Sequence, residues 1–289
     1  MGYVLGLGSA FMYSLASILS RIGQRSRPND DGLFITNFMN AFVLGLSAVV
    51  ITWPTWETAG FVALVLGGIF GTVLGRFMWF RGIRLVGPSR ANAFSVAVPV
   101  PTAIMAWIFL GEGLSIWEMV GGAITIFGLF QIVRSRVAEP ATKDVPLRSY
   151  LIAASAPLFF GLALFLRKWG LERFPGAISG AFIGSAAGIT FLTLLEASRG
   201  TLIALPKKVI SDPPWEYLGA GFILAFALLA QFRAFPLLDA WVVGITGGTV
   251  AIWTPFLSRA FLKQEEHLSK RLIANIGVVF AGIALIAVV

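Results

Sequence analysis

Residues 80–130, FRGIRLVGPSRANAFSVAVPVPTAIMAWIFLGEGLSIWEMVGGAITIFGLF, decide the fold because their marker residues occur again in the second half of the chain. Three of these markers return 154 positions later, and a fourth returns at nearly that distance. The matching positions are Pro101 and Pro255, Glu112 and Glu266, Gly128 and Gly282, and the pairs Phe80-Arg81 and Phe232-Arg233. Two copies that each cross a membrane an odd number of times must have opposite orientations, which predicts an inverted repeat of the kind found mostly in transporters.

Composition places the chain in a membrane. Of its 289 residues, 57% are hydrophobic and 12% are charged, whereas soluble domains have about 25% charged residues. The first apolar segment has no basic flank before it and no clear cleavage site, so we expect a retained helix and no signal peptide. The expected partners are the lipid bilayer and a small-molecule solute, and no nucleic acid.

The residue inventory excludes several kinds of chemistry. The chain has no cysteine and one histidine, so disulfides, thiolate catalysis and metal sites built on cysteine or on several histidines are not expected. The histidine, His267, lies in the charged stretch 263–267, which is typical of a solvated loop. We therefore expect no metal and no cofactor.

Ten apolar runs have roughly the length needed to cross a bilayer, about 20 residues. They cover residues 2–20, 32–52, 59–80, 91–110 and 117–133 in the first half, and 150–166, 174–195, 215–232, 238–258 and 272–289 in the second. The runs are too long and too continuous for the strands of a membrane barrel. The fold class expected is an all-α integral membrane protein with ten transmembrane helices in two inverted five-helix repeats. These repeats are residues 1–137 and 149–289, joined by a polar linker over residues 138–148.

Glycines recur every four residues in two of these helices. One set is Gly67, Gly71 and Gly75, and the other is Gly180, Gly184 and Gly188. This spacing puts small residues on one helix face and lets a neighbouring backbone approach closely. Packing within one bundle is the favoured interpretation and a dimer interface is the alternative, so monomer and homodimer both remain open.

Positive charge predicts the orientation in the membrane. The links after the odd-numbered helices hold 18 Lys and Arg residues, counting Arg76 with the link that it adjoins, whereas the links after the even-numbered helices hold 4. By the positive-inside rule the odd-numbered links are cytoplasmic, so both termini face away from the cytoplasm in a multi-pass protein of the cell inner (plasma) membrane. Arg167, Lys168 and Arg173, placed after the sixth helix, oppose this assignment.

The quoted stretch resembles the end of an EamA domain of the drug/metabolite transporter superfamily. Its motifs are Phe80-Arg81, the turn at residues 87–91, the prolines of the fourth helix, LGE-x-LS at residues 110–115 and a glycine-rich fifth helix. The second copy is more divergent, because it lacks the Gly-Pro turn and has KQEEHLS at residues 263–269 in place of LGE-x-LS. The resemblance implies two EamA repeats, alternating access, peripheral helices 5 and 10, and a central cavity lined by the other eight.

Polar residues inside the apolar helices are the candidates for substrate contact, since hydrocarbon offers them no hydrogen-bond partner. The candidates are Tyr13, Asn37, Asn40, Arg76, Trp79, Asn92, Ser95 and Trp253. Arg76 with Trp79 would suit an anionic or aromatic group. The alternatives are that Arg76 extends to the interface and that the amides and hydroxyls only join helices. The interior of helices 1–4 has no acidic residue to carry a proton, so flux is either uncoupled or coupled through groups that the sequence does not identify.

Prolines lie at matching depths in the fourth and ninth helices. Pro99, Pro101 and Pro255 each remove a backbone hydrogen bond and bend the helix. They predict either hinges used in alternating access or static kinks that shape the cavity. Glu112 and Glu266 are expected to cap helices 5 and 10.

The function predicted from these features is a secondary transporter or facilitator for a small organic metabolite or drug, working in the efflux direction by alternating access. The chain is not expected to be an enzyme. The alternative is a membrane-embedded protein without transport, such as a lipid-modifying enzyme or a scaffold. The enzyme is less favoured because the sequence shows no histidine pair, cysteine or acidic cluster.

Overall fold

The computed structural model describes residues 1–27, 32–51, 53–111, 115–137, 146–200, 214–262 and 270–288, and these residues form helices joined by short turns, with no strand among them. We number the helical segments in chain order. They are α1 Gly2–Ser26, α2 Leu33–Val49, α3 Thr58–Val86, α4 Pro88–Leu110, α5 Ile116–Val137, α6 Leu147–Arg173, α7 Ala177–Ser198, α8 Trp215–Ala234, α9 Ala240–Leu262 and α10 Lys270–Val288. Some sequence predictions fall outside the described residues, namely those on Thr52, Glu112, residues 138–145, Glu266, His267 and Val289.

Seven of these segments are long and apolar enough to cross a membrane: α1, α3, α4, α6, α7, α8 and α9. The shorter α2 is also apolar, with 17 residues. The prediction of an all-helical, multi-pass membrane protein is therefore confirmed for the described part of the chain.

Helix α6 is longer than the sequence suggested. Its apolar run was expected to end at Leu166, but the helix continues to Arg173. The last turns pack on α3, where Gly170 lies against Leu64 and the carbonyl oxygen of Gly60. Arg167 is thus a buried helical residue, and not part of a cytoplasmic or external link.

The helices pack in pairs drawn from both halves of the chain. Helix α1 packs on α8 and α9, and α6 packs on α3 and α4. Helix α2 contacts α7 and α8, α3 contacts α7, α4 contacts α9, and α5 contacts α10. Large apolar side chains from several helices fill the space between them, among them Leu44, Leu64, Leu164 and Phe232.

Glycines allow the closest helix crossings. A Cβ added at Gly68 of α3 would lie 2.6 Å from Cα of Gly184 of α7, so the two backbones are in contact there. A Cβ at Gly128 of α5 would lie 2.9 Å from a methyl of Val279 in α10. The glycine faces therefore pack within one chain, as the favoured interpretation of their spacing predicted.

Three helices are interrupted at the level of the cavity. Residues Ile69–Gly75 of α3 are π-helical, and Phe94–Ala97 of α4 form a 3₁₀ turn. Helix α9 is broken at Thr249. The 3₁₀ turn of α4 directly precedes Pro99, because a proline cannot donate to the carbonyl one turn earlier and its ring crowds that carbonyl. Pro255 lies inside the helical segment that follows the break in α9.

Candidate functional site

A cavity lies between helices of both halves. Its lining comes from α1, α3, α4, α6, α8 and α9. The polar lining residues are Tyr13, Trp79, Asn92, Ser95, Arg167 and Gln231, and the others are Val98, Phe160, Leu164, Val243, Gly244, Gly247 and Val250. A mostly apolar pocket with a few converging polar groups is typical of a small-molecule site.

Arg167 of α6 brings a charge to this cavity. Its side chain is buried, and Nη1 donates a hydrogen bond to Oε1 of Gln231 at 3.0 Å. The guanidinium carbon lies 5.7 Å from the centre of the Phe232 ring. The guanidinium also packs on the backbone of α3 at Gly71, where a side chain would collide with it. The position of Arg167 therefore depends on the glycine in the π-helical turn.

Arg76 is the second buried cation, and it directly follows the π-helical turn of α3. Its Nη1 donates to Oδ1 of Asn37 at 2.9 Å, and Nδ2 of Asn37 donates to the carbonyl oxygen of Leu33 at 2.9 Å. Arg76 does not line the cavity directly, but Tyr13, which does, is within electrostatic reach of both arginines. Arg76 is only 2% exposed, so it does not extend to the membrane interface.

The two arginines have no acidic partner in the part of the chain that the structure describes. They donate side-chain hydrogen bonds to the neutral amides of Asn37 and Gln231, and both guanidinium groups also lie within hydrogen-bond reach of the Tyr13 hydroxyl. Nη2 of Arg76 and Nε of Arg167 are buried and have no hydrogen-bond partner among the described residues. Arginine keeps its proton in proteins. The site therefore holds two positive charges that the described residues do not neutralise.

Asn92 of α4 holds one wall of the cavity together. Its Oδ1 accepts a hydrogen bond from Nε1 of Trp79 on α3. Its Nδ2 donates to Oγ of Ser17 on α1 at 2.9 Å and to Oγ1 of Thr254 on α9 at 2.8 Å. Asn92 thus joins four helices, and the cavity-lining residue Ser95 follows it in the 3₁₀ turn.

Two predicted site residues lie elsewhere. Asn40 accepts a hydrogen bond from Ser185 of α7 at 2.7 Å, so it joins α2 to α7. The Trp253 ring packs edge-on against Phe11 with 5.6 Å between centroids and does not line the cavity. Of the predicted set, the cavity brings together Tyr13, Trp79, Asn92 and Ser95, with Arg76 and Asn37 behind them.

Two cavity residues were missed by sequence reasoning, Arg167 and Gln231. Arg167 was assigned to a link because the apolar run ended before it. Gln231 had a usable signal, since it precedes the repeated Phe232-Arg233 as Trp79 precedes Phe80-Arg81. Both equivalent positions line the cavity. In the described residues no group of three or more His, Cys, Asp or Glu side chains could hold a metal ion.

The fold and the site define a multi-pass α-helical membrane protein with a mostly apolar cavity that contains a few polar groups. Residues 1–134 match the model of the EamA-like transporter family, which confirms the predicted resemblance. A solved crystal structure has the same fold, with a TM-score of 0.69 at 13% identity, covering 99% of this chain and 96% of the other.

Curated relatives are similar over shorter stretches. A WAT1-related protein of Arabidopsis thaliana is 29% identical over 97 residues, which is 32% of this chain and 27% of the relative. A protein of Archaeoglobus fulgidus named only as an uncharacterized transporter is 31% identical over 74 residues, 26% of this chain and 27% of the relative. Solute carrier family 35 member F5 of Macaca fascicularis is 24% identical over 147 residues, 46% of this chain and 33% of the relative. The chain thus spans about a quarter to a third of the length of these relatives.

Proposed function

We propose that this chain is a secondary transporter or facilitator that moves a small organic solute across a membrane by alternating access. The observation that carries the proposal is the central cavity, which is built from helices of both halves and contains polar groups that a bilayer-embedded protein would otherwise bury only at a cost. The match of residues 1–134 to a transporter family and the relatives named as transporter and solute carrier support it.

We further propose ten transmembrane helices in two inverted repeats, residues 1–137 and 149–289, with residues 138–148 as the linker. The packing pairs support this arrangement. If α1 to α5 are equivalent to α6 to α10 in order, the α1–α8 pair is equivalent to the α6–α3 pair, and the α1–α9 pair is equivalent to the α6–α4 pair. The α5–α10 crossing supports it too. Gly128 packs on Val279, and Gly282 packs on Thr125, which are the same contact shifted by 154 positions.

For the orientation, we propose that both termini face away from the cytoplasm, in a plasma membrane, and that transport is outward. The distribution of Lys and Arg over the links supports this orientation. The burial of Arg167 strengthens this assignment, since Arg167 is not in a link and no longer counts against the positive-inside rule.

Pro99, Pro101 and Pro255 are proposed as hinges, since the breaks in α4 and α9 lie at the cavity, where Ser95 and Gly247 line it.

The competing function is a membrane-embedded enzyme or a scaffold. The family match favours a transporter over both. A lipid-modifying enzyme would need a catalytic set near the interface, whereas the cavity has one arginine in its lining, Arg167, and a second behind it, Arg76, and each donates to an amide.

The proposal is tested by filling the cavity. Gly247 lines it, and a Cβ at this position would meet no atom within 4 Å. Gly247→Phe should therefore place a ring in the cavity without displacing the fold. Purified protein would be reconstituted into liposomes, and counterflow of labelled organic acids, amino acids and amines would be measured. We expect counterflow of at least one solute by the unaltered protein and its loss in Gly247→Phe.

Gly8→Phe is the matched control, because a Cβ at Gly8 of α1 also meets no atom within 4 Å but does not line the cavity. It should keep the flux. Equal flux in Gly247→Phe and the unaltered protein would contradict transport through this cavity, and counterflow of no solute would favour the scaffold.

A further inference from the structure

We propose that Arg76 and Arg167 form one anion-binding subsite, and that the transported solute is an organic anion with a carboxylate or phosphate head and an apolar body. The inference rests on the proposed transport function and adds the chemical class of the substrate. Each half of the chain contributes one of the two cations, from α3 and α6.

The charge of the site supports this assignment. The two guanidinium groups are 2% and 4% exposed, and their hydrogen-bond partners among the described residues are the amide oxygens of Asn37 and Gln231 and the Tyr13 hydroxyl, none of them a carboxylate. Burying a charge without a counter-charge is costly, and intramembrane charges are normally paired. A bound anion would neutralise the pair and relieve this cost.

The free donors support an oxyanion in particular. Arginine has five N–H donors in a planar fork that matches a carboxylate or a phosphate. Nη2 of Arg76 and Nε of Arg167 have no partner among the described residues, although both are buried. Asn37 and Gln231 each accept from Nη1 and so fix the two guanidinium groups from behind. Asn37 and Gln231 are therefore positioning residues.

The remaining wall suits an apolar body. Val98, Leu164, Val243 and Val250 line the cavity together with the Phe160 and Trp79 rings. A fully hydrophilic anion would leave these surfaces in contact with its polar groups. An amphipathic anion would instead place its head against Arg167, with Arg76 behind the cavity wall, and its body against the aliphatic and aromatic side chains.

Binding can be measured without transport. Detergent-purified protein would be titrated with phenylacetate, adipate and phenyl phosphate, and with neutral phenylacetamide, at constant chloride, while tryptophan fluorescence and the thermal unfolding midpoint are followed. We expect at least one of the three organic anions to bind about tenfold or more tightly than phenylacetamide, since charge-assisted hydrogen bonds are lost with the amide.

Variants assign the binding to the arginines. Arg76→Gln and Arg167→Gln should each weaken anion binding about 10-fold to 100-fold. Arg173→Gln is the matched control, because Arg173 is on the same helix as Arg167 but is exposed and lies over the Trp169 ring. It should bind as the unaltered protein does.

The thermal unfolding midpoint is a second measurement, which remains informative if a variant folds poorly. Each glutamine removes a buried charge that has no acidic partner among the described residues. In the absence of anion, both variants should therefore unfold at a higher temperature than the unaltered protein, and added anion should no longer stabilise them.

The subsite is refuted if no organic anion binds better than phenylacetamide, if chloride alone competes fully, or if the glutamine variants bind and unfold like Arg173→Gln. Anion binding without counterflow would refute transport and keep the subsite. Counterflow of only neutral or cationic solutes would refute the anion-binding subsite and keep the transport function.

Discussion

Gly71→Ala is expected to disturb the site through Arg167. A Cβ added at Gly71 would collide with Nη2 of Arg167, and it would lie 3.0 Å from Cζ of Arg167 and 2.9 Å from Cβ of Ala163. Carbon atoms in contact prefer about 3.5–4.0 Å, so the guanidinium must retreat by about 0.5–1 Å. The hydrogen bond from Nη1 to Gln231, now 3.0 Å, would then be stretched or broken.

The cost follows from these contacts. A lost hydrogen bond of a charged group costs about 1.5–3 kcal/mol, and crowding against Ala163 adds about 1 kcal/mol. The better helix propensity of alanine offsets up to about 1 kcal/mol of this destabilisation. The net destabilisation is therefore about 2 kcal/mol, or about 4–8 °C in the midpoint of thermal unfolding. Anion binding should weaken as well, because the retreat moves Arg167 away from the head group.

The assay is thermal unfolding in detergent, with Gly8→Ala as the control that meets no neighbouring atom. A double-mutant cycle with Arg167→Gln isolates the contact. The cost of Gly71→Ala should fall by about half or more in the Arg167→Gln background, since the shorter side chain leaves the guanidinium space empty. Equal costs in both backgrounds, or no cost relative to Gly8→Ala, would show that the guanidinium does not rest on the π-helical turn.

Other parts of the structure can be tested in the same preparation. Gly68→Ala should destabilise by about 2–3 kcal/mol because its Cβ would meet the backbone of α7; an unfolding midpoint like that of Gly8→Ala would exclude the α3–α7 crossing. Asn92→Ala should cost about 2 kcal/mol, chiefly by leaving Nε1 of Trp79 without its acceptor, and unchanged thermal stability would contradict this role. Pro101→Ala and Pro255→Ala should slow counterflow with little effect on unfolding if the prolines are hinges, whereas full-rate flux would make them static kinks. Flux of an anion should rise with a valinomycin-imposed potential that is negative on the side it leaves, by up to about 2.3 kcal/mol of driving force per 100 mV for each charge, and potential-independent flux would indicate an electroneutral exchange.

The fold was largely predictable because the length of an apolar run and the spacing of its small residues can both be read from the sequence. Uninterrupted apolar length predicts a spanning helix, and glycines four residues apart predict close crossings, which the contacts of Gly71 with α6 and of Gly184 with α3 show. Helix ends were less predictable. Arg167 and Lys168 end the apolar run, but the helix continues because Gly170 can pack on α3 and Nζ of Lys168 donates to the carbonyl oxygen of Phe235 at 2.9 Å.

The candidate site was predictable in part. Polarity within apolar helices indicated Tyr13, Trp79, Asn92 and Ser95 as candidates for substrate contact, and these four residues line the cavity. The same rule could not separate them from Asn40, which has the same polarity and a similar position in its helix. Asn40 meets Ser185 because of the way α2 crosses α7, and no single-helix pattern contains that information.

The sequence by itself determined the membrane environment and the resemblance of the first half to a transporter family, because hydrophobic length, charge and motif spacing are properties of one segment at a time. Only the tertiary structure brings Arg76 and Arg167, from different helices and different halves, to the same tyrosine, Tyr13, without an acidic partner among the described residues. This arrangement depends on helix packing in three dimensions, and in particular on Gly71, whose missing side chain makes room for the second cation.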